Sequence, residues 1–154
     1  MTRVNWLNER EARAWRGLQT MHIRLDGELA RRLAAESNLS YQDYVVLVAL
    51  TDQPDGRMRL FELGDRLSWE KSRLSHHITR MVSRGLVEKE QCPSDRRGAF
   101  VVITDLGRSE IAAAAPGHLD AVRSLLVDHL DDDQLDTLAE VAETVLAAMD
   151  GPGA

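Results

Sequence analysis

The sequence predicts a mainly α-helical chain carrying one small β-hairpin, and three observations lead there. Through most of the chain, apolar residues recur at spacings of three and four, the period of an amphipathic helix. After Gly85 the period drops to two, as in a half-buried strand. Turn-forming residues gather at a few points, chiefly TDQPDG at 51–56 and PSDRRG at 93–98, and leave long segments between them uninterrupted. With 154 residues, 44% apolar and 29% charged, the chain is long enough for a true core and too apolar to be disordered.

The first segment, roughly 6–35, places Leu18, Met21, Leu25, Leu29 and Leu33 on one stripe and contains no proline, so one long helix is expected. Asn38 suits its end, and Ser40 with Asp43 has the spacing of a capping box for the next helix. That helix, YQDYVVLVAL, is apolar nearly all round and belongs at the centre. Pro54, Asp55 and Gly56 stop it. RMR is then a short extended stretch, and LFELGDRL puts Leu60, Leu63 and Leu67 on one helical stripe. Ser68 is expected to cap a further helix that runs to about Arg84 and stops at Gly85. LVEKEQ and AFVVIT read as two strands joined by a seven-residue tip, CPSDRRG at 92–98. Thr104 can cap DLGRSEIAAAA, and Pro116–Gly117 should break or bend that helix before HLDAVRSLLVDHL resumes. Asp131 with Gln134 fits another capping box, followed by Leu135, Leu138, Ala142, Val145 and Met149 at near-heptad spacing. Helix, tight turn, helix, hairpin is the order of a winged helix-turn-helix.

Composition narrows the function. No apolar run approaches the ~20 residues of a membrane span. The charged N-terminus does not read as a secretory leader. The lone Cys92 excludes an intrachain disulfide and a cysteine zinc cluster. These features point to the cytoplasm, with no membrane partner. The net charge of −6 is unevenly spread. Residues 57–97 hold 10 basic and 6 acidic side chains, a net +4, whereas residues 105–154 hold 2 basic and 11 acidic, a net −9. A basic centre in an acidic frame is the electrostatic footprint of a polyanion-binding module.

The predicted helix after Ser68 carries that footprint. At ~100° per residue, Leu74, Ile78, Met81 and Val82 share an apolar arc that would anchor it. The opposite arc holds Trp69, Ser72, Arg73, His76, Thr79, Arg80 and Ser83, with no acid among them. A merely solvated face would mix in Glu or Asp. Donors and short hydroxyls suit phosphates and base edges of a major groove: Arg73 can donate twice to a guanine, and Arg80 lies where backbone would be gripped. The side chains expected to face double-stranded DNA are Ser68, Trp69, Lys71, Ser72, Arg73, Ser75, His76, Thr79 and Arg80, joined by Arg96 and Arg97 at the hairpin tip. Asp95 is read as a scaffold for that tip. His77, near the edge of the apolar arc, is expected to pack rather than touch DNA. Adjacent His76 and His77 diverge around the helix, so no metal site is expected there, and no cofactor elsewhere.

LFELGDRLSWEKSRLSHHITRMVSRGLVEKE followed by PSDRRGAFVVITDLG resembles the multiple antibiotic resistance regulator (MarR) family of winged-helix transcription factors across most of residues 40–107. The Asp95-x-Arg97 wing, the Ile103–Thr104 strand end and Gly107 carry the resemblance. It implies a homodimer built from the first and last helices, with Ser72, Arg73 and His76 in the major groove. It further implies Arg97 in the minor groove, with Arg96 on backbone. It also implies a small aromatic or anionic effector between the dimer arms and the winged domain, where Trp15, His22 and Tyr44 are the candidate contacts. On this reading residues 1–36 and 105–150 form the dimerisation region and 37–104 the DNA-binding domain of a transcriptional regulator, expected to be a repressor. Two other readings stand beside it: a winged-helix protein-interaction module that never touches DNA, and a redox sensor using Cys92, whose thiol pKa Arg96 and Arg97 could lower. An enzyme is not expected, because His22, His76, His77, His118 and His129 are scattered with no nucleophile motif or phosphate loop beside them.

Overall fold

Asn8 starts the first helix, α1 (Glu9–Glu36). Its side chain accepts from the Glu11 N–H at 2.9 Å, and the Glu11 carboxylate accepts from the Asn8 N–H at 2.9 Å. This reciprocal cap sets the start at residue 9 rather than 6. The structure, a computed structural model, describes residues 4–92 and 95–151, and the side chains of 95–97 lie outside that description. α1 ends at Ser37, whose hydroxyl donates to the Leu33 carbonyl at 2.7 Å, so Asn38 falls in the bend beyond the helix end. Ser40 and Asp43 make the expected capping box for α2 (Tyr41–Thr51). Val46, Leu47 and Leu50 of α2 are fully buried, and each such side chain contributes roughly 2 kcal/mol by leaving water. Gly56, at φ +66°, closes the turn into β1 (Arg57–Arg59).

α3 (Leu60–Leu67) and α4 (Lys71–Ser83) follow. The turn between them departs from expectation. Ser68 does not cap α4: it sits in the left-handed region, φ 52° and ψ 40°, and terminates α3. The Trp69 N–H bonds to the Gly64 carbonyl and the Ser68 N–H to the Asp65 carbonyl, the paired bonds of a Schellman stop. Glu70, which makes no side-chain cap, is the N-cap of α4, so Trp69 belongs to the turn and not to the helix. A serine before a helical run fits either role, and the six-to-one bond from Trp69 selects the C-terminal one.

Gly85, at φ +77°, ends α4 and leads into β2 (Val87–Cys92) and β3 (Asp95–Ile103). The sheet is antiparallel in the order β1-β3-β2, with a register shift at Gln91/Cys92. The hairpin is therefore longer than predicted: Cys92 and residues 95–98, expected in a seven-residue tip, are strand, and the ladder shifts register between Gln91 and Cys92. Thr104 accepts from the Gly107 N–H at 3.0 Å and donates to the Gly85 carbonyl at 2.5 Å, capping α5 (Asp105–Leu125) and tying it to the end of α4. Pro116 lies inside α5, which runs unbroken through it, so of the break or bend expected there the break does not occur.

Two units divide at residues 118 and 119. In the first, Leu33, Leu47, Leu50, Leu63, Ile78 and Val101 belong to one core uniting α1–α4 with the sheet. α1 contributes to it only through its last turns, where Leu29 and Leu33 are buried; Leu18 and Met21 of the same stripe are exposed. In the second unit, Asp131 and Gln134 cap α6 (Asp132–Met149), and none of its residues is buried. Leu138, Val145 and Met149 stand open on its apolar stripe. Among the described residues, no helix is long and apolar enough to cross a membrane.

Candidate nucleic-acid interface

α4 is anchored by Leu74, Ile78 and Met81, all buried. The fourth anchor is His77, not Val82, which is exposed. The arc explains the exchange: at ~100° per residue His77 lies about 60° to one side of Leu74, while Val82 lies about 80° to the other. Opposite the anchors, Ser72, Arg73, His76, Thr79, Arg80 and Ser83 are all exposed. Lys71 is exposed in the first turn, Ser68 is exposed in the turn before the helix, and Ser75 is half-buried at the flank. No acidic residue lies within Lys71–Ser83.

Several of these side chains are held before any partner arrives. The Thr79 hydroxyl donates to the Ser75 carbonyl at 2.9 Å and the Ser83 hydroxyl to the Arg80 carbonyl at 2.8 Å. Their outward capacity is therefore that of acceptors, with the Thr79 methyl alongside, rather than of donors to phosphate. The Arg73 guanidinium stacks over the Trp69 ring, 4.6 Å from its centroid. Trp69 is half-buried against the core and meets the His77 ring edge-on at 5.5 Å and 89°. Arg80 Nη2 lies 3.2 Å from His77 Nδ1.

Behind this face stands Asp43, fully buried at the start of α2. Its Oδ2 accepts from Ser40 N–H and from Arg84 Nη1 at 2.6 Å, and Arg84 Nη2 donates to the Asn38 carbonyl at 2.6 Å. Its Oδ1 lies 3.0 Å from His77 Nε2, within bonding distance although the ring N–H is not aimed straight at the oxygen. Burial alone would raise the Asp43 carboxyl. The contacts from His77, Arg84 and Ser40 outweigh it and hold the group well below the ordinary carboxylate range. α4 is thus pinned to the α1–α2 corner by one buried carboxylate. The sequence identified Asp43 as a cap and missed this role, which joins positions 34 and 41 residues apart.

The wing is backed by β1. Arg57 and Arg59 lie 4.1 and 5.0 Å from the centroid of Phe100, and Arg57 also pairs with Glu90 at 3.2 Å. These two arginines escaped the sequence reading, although the alternation in RMR places both on one face of a strand. The backbones of Asp95, Arg96 and Arg97 lie in β3, but their side chains are outside the described residues, so the tip contacts rest on the sequence. Cys92 closes β2 and is half-buried.

The proposed effector contacts occupy different settings. Trp15 and His22 are exposed on α1, His22 lying 3.4 Å from Asp26. Tyr44 is in the core, its ring 4.5 Å from that of His118; burial pushes the tyrosine hydroxyl up and the His118 imidazole down.

Residues 37–98 match the sequence profile of the MarR family. The chain is similar to the MarR family regulator Sco3205 of Streptomyces coelicolor, crystallised in complex with DNA. Identity is 35% over 96% of each chain, with a TM-score of 0.88. AbsC, a MarR family regulator of the same organism, is 35% identical over 97% of this chain and all of its own, with a TM-score of 0.87. The transcriptional regulator HosA of Escherichia coli O111:H- is 34% identical over 79 residues, a stretch that spans 57% of its length.

Proposed function

This chain belongs to the MarR family of transcriptional regulators, and on that premise we propose that it binds a pseudo-palindromic operator as a homodimer and represses transcription from it. One observation carries the reading: the side of α4 opposite Leu74 and Ile78 is open and free of acid, and it presents Ser72, Arg73, His76, Thr79 and Arg80 together. In a major groove, Arg73 reads a guanine with two donated bonds, His76 contacts a neighbouring base edge, and Arg80 takes a backbone phosphate. Arg97 enters the adjacent minor groove, with Arg96 on the backbone and Asp95 shaping the tip. Lys71 adds a phosphate contact at the first turn.

The apolar residues left open on α1 and α6, among them Leu18, Met21, Val145 and Met149, support self-association as the way each is covered. Two copies place two α4 helices about one helical turn of DNA apart, roughly 34 Å, so operator symmetry mirrors protein symmetry. A small aromatic or anionic ligand that binds one dimer geometry better than another would release the operator by shifting that equilibrium.

Selection from a randomised duplex pool followed by footprinting tests the proposal. The expected product is an inverted repeat with half-site centres about 10–10.5 base pairs apart, protected on one face. Recovery of no duplex above background at low salt would return the protein-interaction reading. Thermal-shift screening with phenolic acids then looks for the effector.

A further inference from the structure

We propose that His77, held from behind by Asp43, is the positioning residue that sets the DNA-facing side of α4 by fixing Arg80 directly and Arg73 through Trp69. The inference rests on the DNA-binding reading and adds to it a buried residue that touches no DNA. Three contacts converge on the one imidazole: Asp43 Oδ1 at 3.0 Å from Nε2, Arg80 Nη2 at 3.2 Å from Nδ1, and the Trp69 ring packed edge-on at 5.5 Å. Arg73 stacks on the far partner of that chain, 4.6 Å from the Trp69 centroid. Arg73 and Arg80 are seven residues apart, two turns along the same flank of the helix, and His77 lies on that flank beside the core.

The chemistry fixes the proton. A guanidinium carries donors and no acceptor, so the histidine nitrogen facing Arg80 must be the bare one. The ring proton then sits on Nε2, the atom facing the Asp43 carboxylate. A second proton on Nδ1 would oppose the Arg80 N–H and displace it. Asp43 is itself immobilised by the Ser40 N–H and by Arg84, whose other nitrogen is bonded to the Asn38 carbonyl. The imidazole is therefore braced against a fixed group on α2 rather than against its own helix. Arginine side chains lose much rotamer freedom when they bind. Holding two of them in place beforehand reduces that loss on complex formation.

The test compares duplex binding by wild type, Arg80→Ala, His77→Phe, His77→Asn and the double variant His77→Phe/Arg80→Ala, together with imidazole 15N spectra of the free protein. Phenylalanine keeps the edge-on contact with Trp69 and removes both nitrogens; asparagine restores an acceptor near the Nδ1 position. Arg80→Ala should weaken binding roughly three- to tenfold and make the salt slope shallower by about one. His77→Phe should reproduce most of that loss, the double variant should be no worse than Arg80→Ala, and His77→Asn should stay within about twofold of wild type. The spectra should show the Nε2–H tautomer. Wild-type affinity and slope in His77→Phe while Arg80→Ala is impaired would overturn the proposal, as would losses that multiply in the double variant. If His77→Phe fails to fold, a His77→Asn variant that binds as weakly as Arg80→Ala would overturn it instead. A wild type that binds no duplex sinks the DNA-binding reading itself, an outcome distinct from any of these.

Discussion

Replacing Asp43 by alanine should remove about 3 kcal/mol of folding stability. The figure has three parts. The capping box at α2 loses its N3 partner, leaving the Ser40 N–H without its acceptor, about 1 kcal/mol. His77 Nε2 loses the carboxylate oxygen 3.0 Å away, an imperfectly aligned contact with a charged group worth about 1.5 kcal/mol. The Arg84 side chain, 44% exposed, returns much of its charge to water, so its share is held to about 0.5 kcal/mol. For a chain of this size that sum lowers the melting temperature by roughly 6–12 °C. Urea unfolding followed by circular dichroism measures it, at one fixed protein concentration because the proposed self-association would add to apparent stability. The loss should also depend on pH. The carboxyl titrates below its ordinary value of 3.8 in the folded chain, so below that value unfolding takes up a proton. The contribution is complete near neutrality and erodes as pH falls from about 5 downward, bringing wild type and variant together in acid. A loss under about 1 kcal/mol at neutral pH, or a difference that grows in acid, would refute the reasoning.

Other outcomes follow from single residues. Arg73→Ala should weaken operator binding by about 1–3 kcal/mol and relax discrimination at one base pair per half-site, read by competition among singly altered duplexes. Ser68→Gly should stabilise the protein by up to about 1 kcal/mol, because glycine accepts the left-handed conformation that serine is forced into; thermal melting detects it. Gly107→Ala should destabilise by about 2 kcal/mol or more in the same assay, since an added methyl meets the Leu86 carbonyl and the Ile103 side chain. Val145→Asp, on the open stripe of α6, should weaken self-association at least about tenfold in sedimentation equilibrium.

The fold was legible wherever the signal was local. Ser40 with Asp43 and Asp131 with Gln134 declare their helices by spacing alone, and the change of period after Gly85 declares the hairpin. What escaped was non-local or two-valued. Ser68 could cap the helix after it or stop the helix before it, and only the Trp69–Gly64 bond decides. Pro116 signals a break or a bend, and α5 runs through it unbroken. In the interface, the open face of α4 could be read from its anchors, whereas the Asp43–His77–Arg84 cluster could not. No periodicity links position 43 to positions 77 and 84; only the tertiary packing of α4 on α2 does. The same holds for Trp69, expected among the DNA-facing side chains of the helix, which lies in the turn before it and carries the Arg73 guanidinium on its ring.

The open side of α4 is proposed to be the DNA-reading surface. The most direct measurement is the affinity of wild type and Arg73→Ala for the selected duplex over a series of salt concentrations, followed by fluorescence anisotropy. Wild type should show a log–log slope steep enough to signify several neutralised phosphates, at about 0.9 per phosphate, and the variant weaker, less sequence-selective binding. A slope near zero, or an Arg73→Ala protein that binds and discriminates as wild type does, would contradict it.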